Sequence, residues 1–178
     1  MIVERLRTAD LLAIDIETMP KAIVPTECSN WSLKLRALNP KSADIRLIQV
    51  YDGGDSVHVF DLKRGVILNT LRPLFQRPLI AHNAAFEKQF LAHQGIHPIE
   101  LRCTMQMAKK INPNARSLEA AAQYFLGARL NKSFQNADWS VPELSNAQIK
   151  YAACDAWVCF LIYNKISKRH SQTPTSVH

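Results

Sequence analysis

The sequence predicts an α/β domain: a mixed sheet containing an antiparallel hairpin joined to a parallel part, flanked by helices. Three observations lead there. Strand-type runs come first and then alternate with helix-type runs. Asp52-Gly53-Gly54-Asp55 separates two β-suited stretches, a strong hairpin signal. Helix starts and stops are marked in the second half by Ser117, Gly127 and Ser145. That order of elements is the pattern of a mixed sheet covered by helices.

Taken in order, Ala9–Glu17 is apolar and β-suited, which predicts a central strand. Thr18–Asp44 contains Pro20, Pro25 and Pro40 and has weak periodicity. It reads as a long connection with a short helix near Trp31–Leu38, and long structured loops are often functional. Ile45–Tyr51 and Ser56–Phe60 form the hairpin. Val66–Phe75 is expected to be helical, with Pro73 as an early stop. Pro78–Ala81 is a short buried strand. Asn83–His93 is a helix with Asn83 as its cap and Gly95 just past its end. Arg102–Thr104 is a further strand, Thr104 caps a helix to Ile111, and Ser117 caps one to Leu126 closed by Gly127. Ala128–Leu144 is polar and irregular. Ser145 opens a long final helix to about Lys168. Residues 1–170 are expected to form one domain, with 171–178 as a frayed tail.

Length and composition bound the function. The chain has 178 residues, 47% of them hydrophobic and 21% charged, so a globular core is affordable without disulfides or metal. No apolar run approaches the ~18–20 residues of a membrane span. Met-Ile-Val-Glu-Arg at the start lacks the charged-then-apolar export pattern, so a cytoplasmic location and no membrane partner are expected. Cys28, Cys103, Cys154 and Cys159 show no zinc spacing and read as small apolar side chains in a reducing compartment. Lys and Arg number 22 against 15 Asp and Glu, a net charge of +7. A polyanion partner, nucleic acid above all, suits that balance, although many basic proteins bind none.

Four carboxylates stand where a core wants none. Strand side chains alternate, so Ile14 and Ile16 share one face and Asp15 and Glu17 the other. A solvated edge strand would also carry such a pair, but the run before it is too apolar for a simple edge. Glu87 falls in an apolar arc with Phe86, Phe90 and Leu91, and its i±3 and i±4 neighbours include no cation. Asp155 falls in the arc of Ile149, Ala152, Ala156, Cys159, Ile162, Tyr163 and Ile166, again without a local cation, and Tyr151 lies one turn earlier on the same face. One such carboxylate could be protonated or meet a distant Arg. Four suggest a shared positive charge, and all-oxygen ligands suit Mg2+ or Mn2+. Two such ions ~3.5–4 Å apart support in-line displacement at phosphorus.

At these residues the sequence resembles the DEDD superfamily of 3′–5′ exonucleases. Asp15-Ile16-Glu17-Thr18 resembles the family's D-x-E strand motif. Asn83-Ala84-Ala85-Phe86-Glu87 is similar to its N-x-x-[FY]-D motif. Tyr151-Ala152-Ala153-Cys154-Asp155 is similar to the Y-x-x-x-D of the tyrosine (DEDDy) branch. The stretch from Asp138-Trp139-Ser140 to Asp155-Ala156 resembles RNase D and the Werner-type exonuclease domain. Thr18 and Asn83 look more like the proofreading domain of family A DNA polymerases. The motifs come in order at ~70-residue spacings. One departure stands out: Glu87 occupies a position where the family has Asp, and the extra methylene moves the carboxylate by over ~1 Å.

The resemblance implies an RNase H-like exonuclease fold and a role for each matched residue. Asp15, Glu17 and Asp155 hold a first divalent ion, Asp15 bridges to a second, and Glu87 assists there. Tyr151 orients the attacking water. The implied reaction is removal of nucleoside 5′-monophosphates from 3′ ends of single-stranded DNA, RNA or both. Thr18, Met19, His82 and Asn83 are implied near the terminal nucleotide. Arg129 and Lys132, with Arg102 and Arg116, are candidates for tracking phosphates, and Trp31, Phe134 or Trp139 for stacking on bases, although core packing is the expected role of Trp139 and a hydrogen-bonded structural role that of His82. The alternative is an exonuclease-fold module weakened at Glu87 that binds nucleic acid or a protein partner. The chain is expected to work alone, pair with a copy of itself, or serve a replication or RNA-processing complex.

Overall fold

In the computed structural model, residues 2–21 and 35–171 are described. A short helix α1 (Ile2–Leu6) precedes β1 (Leu12–Pro20), β2 (Ala43–Tyr51) and β3 (His58–Asp61). A 3-10 helix (Leu68–Gln76) leads to β4 (Pro78–Ala81), α2 (Ala85–His93), β5 (Glu100–Cys103), α3 (Thr104–Ile111), α4 (Leu118–Leu126) and the long α5 (Asn146–Ser171). Among the described residues no helix is long and apolar enough to cross a membrane.

The sheet order is β3-β2-β1-β4-β5. β1–β2 and β2–β3 pair antiparallel, whereas β1–β4 and β4–β5 pair parallel. This is the mixed sheet expected from the hairpin and the later alternation. β1 runs three residues beyond the expected Glu17. It does so across a bulge: Glu17 pairs with Leu47 and Thr18 with Ile45, so the ladder skips Arg46 on β2. A bulge re-aims side chains and sharpens the local twist, and bulges recur beside active sites.

Both faces of the sheet are covered, which explains the near-continuous burial of β2. Ile14, Ile16, Ile48 and Val50 pack with Leu6, Leu71, Leu74, Phe75, Phe90 and Leu91. Ala13, Tyr51 and Ile80 pack with Ala156 and Cys159 of α5 on the other face. A satellite cluster joins α3, α4 and α5 through Ala108, Phe125, Val158, Ile162 and Ile166.

Several local expectations hold. Ser117 Oγ accepts from Ala120 N at 3.1 Å, and Gly127 closes α4 in the left-handed conformation. Ser145 and Gln148 form a reciprocal cap, with Ser145 N donating to Gln148 Oε1 at 3.0 Å and Gln148 N to Ser145 Oγ at 3.2 Å. Three expectations need correction. Residues 68–76 form a 3-10 rather than an α-helix, with Pro73 inside, where it can donate no backbone hydrogen bond. Asn83 does not cap α2 with its side chain. It takes the left-handed conformation (φ 67°) in the turn between β4 and α2, and its carbonyl accepts from Phe86 N at 2.8 Å. Asn tolerates that conformation better than most residues. Thr104 makes no side-chain cap either; it is fully buried, and its hydroxyl bridges three elements instead. The last helix ends at Ser171, three residues later than expected. Cys28, Trp31 and residues 172–178 lie outside the described residues, and of the helix expected near 31–38 the described part is helical at 35–37.

Candidate active site

The site is built on the central strand β1, past the residues that pair with β4, where β1 and α5 meet. Alternation along β1 puts Asp15 and Glu17 on the face that α5 covers, and Asp155 comes from α5 itself. One carboxylate oxygen from each of Asp15, Glu17 and Asp155 lies within 4.8 Å of the other two. Glu87 approaches from the first turn of α2. It is only 2% exposed, and its Oε2 has no hydrogen-bond partner. Its charge reaches Asp15, whose pKa it helps to raise.

Burial holds all four carboxylic acids above their ordinary range, and neighbouring charge adds to it at Asp15 and Glu17. Asp15 is raised well above it, by burial first and then by the charges of Asp155, Glu17 and Glu87. Burial followed by Asp155 pushes Glu17 to about 8. Burial pushes Glu87 to about 8 and Asp155 to about 7. Among the described residues no Lys or Arg forms an ion pair with any of the four. A like-charged, desolvated group without a counter-ion is costly. Oxygens at these separations fit the shell of a small divalent cation at ~2.0–2.2 Å from each ligand, and the orphaned Glu87 oxygen leaves a donor for a second one. The residues present therefore fit divalent metal.

Tyr151 stands one turn before Asp155 and lines the same cleft, an open cavity of about 250 Å3. Burial, then the charges of Asp155, Glu17 and Asp15, raise its phenol pKa, so the hydroxyl keeps its proton. Its ring contacts Phe134 (centroids 6.0 Å apart) and Trp139 (6.5 Å). Lys132 also lines the cleft and ion-pairs with Glu119 at the start of α4.

The remaining expected residues divide. Trp139 is buried in a cluster with Leu47 and Ala152, against which Met19 packs. Thr18 donates its hydroxyl to the Ala37 carbonyl at 2.7 Å. His82 is held on both ring nitrogens: Nε2 donates to the Arg116 carbonyl at 3.0 Å, which leaves Nδ1 to accept from Thr104 Oγ1 at 3.0 Å. Burial lowers its pKa, so the ring is neutral. Of the expected site residues, Thr18, Met19, His82, Asn83, Glu87 and Arg129 are not among those lining the cleft. Ser117, Glu119, Asn131 and Gln135 do line it and are absent from the residues expected there, because polar loop and cap positions carry no signal of what they face. Gln49 is a further buried polar residue of the sheet. It sits across from Asp15 in the β1–β2 ladder, fully buried with both amide atoms unpartnered. A Gln inside the apolar run Leu47–Tyr51 marks it in the sequence.

An RNase H-like α/β core with an acidic cleft over its central strand defines the general class. A family model described as 3′–5′ exonuclease matches residues 1–170, and the chain belongs to that family. DNA polymerase I of Aquifex aeolicus is 33% identical over 123 residues, 68% of this chain and 21% of that protein. The chain thus spans about a fifth of that curated relative. Escherichia coli RNase D shares the fold (TM-score 0.73, 22% identity, 96% of this chain and 42% of that one). Brucella melitensis NrnC bound to pGG does so too (TM-score 0.73, 23% identity, 93% of this chain and 76% of that one), and NrnC is also known with bound Mg2+.

Proposed function

We propose that this domain removes nucleotides one at a time from the 3′ end of single-stranded DNA or RNA, releasing nucleoside 5′-monophosphates with two divalent cations, Mg2+ or Mn2+. The observation that carries the reading is the trio of carboxylates within 4.8 Å of one another, with no cationic partner among the described residues. The orphaned oxygen of buried Glu87, whose charge reaches Asp15, supports a second ion.

Asp15, Glu17 and Asp155 would hold one cation, with Asp15 and Glu87 reaching the other. Bound cations supply Lewis acidity that eases deprotonation of a water and neutralises charge on the departing oxygen. The chain supplies the rest. The Tyr151 hydroxyl, protonated and at the cleft wall, orients the attacking water by a hydrogen bond, as in the tyrosine branch of the superfamily. The water oxygen bonds to phosphorus as the bond to the 3′ oxygen of the preceding nucleotide breaks, and that oxygen leaves with a proton. Lys132, the cation on the cleft wall, brings positive charge to the backbone of the entering strand. Met19 sits in the cluster that contains Tyr151, where it can pack against the terminal base.

The test is degradation of a 5′-labelled oligonucleotide with Mg2+ or Mn2+. Wild type should shorten it stepwise, and Asp15→Ala and Asp155→Ala should not. Equal degradation by all three would assign the activity to a contaminant. Matched DNA and RNA strands establish the sugar preference.

Glu87 favours one second reading, a nucleic-acid-binding module with little hydrolysis. An inert wild type made active by Glu87→Asp would support it, and a wild type faster than Glu87→Asp would remove it.

A further inference from the structure

Arg46 is fully buried and heads the fully buried side chains in size. It is the residue that the β1–β2 ladder skips, next to Leu47, the partner of Glu17. All five guanidinium N–H groups find acceptors. Nε and Nη2 donate to the two oxygens of Asp61 at 2.8 and 3.0 Å. Nη1 donates to the carbonyls of Trp139 (3.0 Å) and Val141 (2.6 Å), and Nη2 also to that of Pro142 (3.3 Å). One side chain thus pins three residues of an irregular segment to the sheet. That segment carries Trp139, whose ring lies 6.5 Å from that of Tyr151, inclined at 33°.

Burying a charge to close an apolar gap is wasteful, since apolar groups of similar volume do as well or better for stability. What Arg offers instead is a planar fork that fixes several acceptors at once. Resting on the reading that Tyr151 orients the attacking water, we propose that Arg46 is a positioning residue for catalysis. By locking the 139–142 segment to the bulge beside Glu17, it makes Trp139 a fixed wall that sets where the Tyr151 hydroxyl stands relative to the carboxylates. Lys cannot replace it, because one ammonium offers three donors and no fork.

The experiment measures kcat and KM for oligonucleotide hydrolysis in wild type, Arg46→Lys, Trp139→Leu, Tyr151→Phe and the two double variants with Tyr151→Phe. Thermal melts identify the folded ones. Arg46→Lys and Trp139→Leu should each lower kcat about tenfold and leave KM within about twofold, because a misplaced orienting group loses rate rather than affinity. In the Tyr151→Phe background neither should lower kcat further. If Arg46→Lys does not fold, Trp139→Leu keeps every acceptor of the guanidinium and carries the same comparison. Equal losses in both backgrounds, a change in KM alone, or undiminished kcat in folded variants would overturn the role of Arg46 while leaving that of Tyr151 intact. Full activity of Tyr151→Phe would overturn both.

Discussion

Asp15, Glu17, Glu87 and Asp155 destabilise the fold they sit in. Each is held above its ordinary range by burial, and Asp15 and Glu17 also by their neighbours' charges. Removing one charge should therefore stabilise the metal-free protein while ending catalysis. We expect Asp15→Asn to melt higher in EDTA by about 2–4 °C for each kcal/mol of relieved repulsion, and to show no measurable exonuclease activity. A lower melting temperature for Asp15→Asn would mean that the carboxylate makes net favourable contacts in the free protein. Tyr151 differs in kind. Its hydroxyl is expected to act in the reaction and to contribute little to folding, so Tyr151→Phe should lower kcat about 10²-fold or less with a near-wild-type melting temperature.

At the scale of elements, the site depends on how each acid is carried. β1 sets Asp15 and Glu17 on one face by simple alternation, and the bulge after Glu17 ends that alternation before Thr18. α2 can aim Glu87 inward because Asn83 turns the chain through a left-handed residue. Replacing it with a β-branched residue should distort that turn. Asn83→Val is expected to cost about 1–3 kcal/mol and to reduce activity more than Asn83→Gly, as read by urea unfolding and oligonucleotide assays on the same samples. α4 starts at the wall of the cleft, where Ser117 caps it. Ser117→Ala should cost about 1 kcal/mol.

For the whole molecule, the coupled acids make stability depend on pH in a defined direction. Glu17 and Glu87 titrate near 8 and Asp155 near 7 in the folded protein, against ordinary values of 4.5 and 3.8. Between these limits the folded state holds protons that the unfolded chain has released, so stability falls as pH rises. It is greatest below about pH 4 as far as these groups are concerned, and their contribution is lost by about pH 8. The melting temperature in EDTA should therefore drop between pH 5.5 and 8.5. Added Mg2+ or Mn2+, which binds the ionised site in the folded state, should raise it, and more strongly at pH 8.5. A flat EDTA profile would show that the carboxylates are not crowded in solution.

Much of this was legible in the amino-acid order because local physics writes it there. The alternation of Ala13–Glu17, the caps at Ser117 and Ser145 and the hairpin at Asp52–Asp55 depend on near neighbours, and the inward-facing acids were visible as charges inside apolar periodicities. Their meeting was not visible, since Asp15, Glu87 and Asp155 stand about 70 residues apart and only the packing of α2 and α5 against the sheet brings them together. The same holds for Thr104 and His82: chain neighbours suggested a cap for the first and a hydrogen-bonded structural role for the second, but not the partners 22 and 34 residues away that hold the hydroxyl and the ring nitrogens. Arg46 is the clearest instance. Its charge inside the run Ile45–Val50 marks an anomaly, but its acceptors lie 15 to 96 residues distant. Short-range sterics and hydrogen bonding set which segments are strands and helices. Which side chains those segments bring face to face is decided only when distant surfaces exclude water from one another.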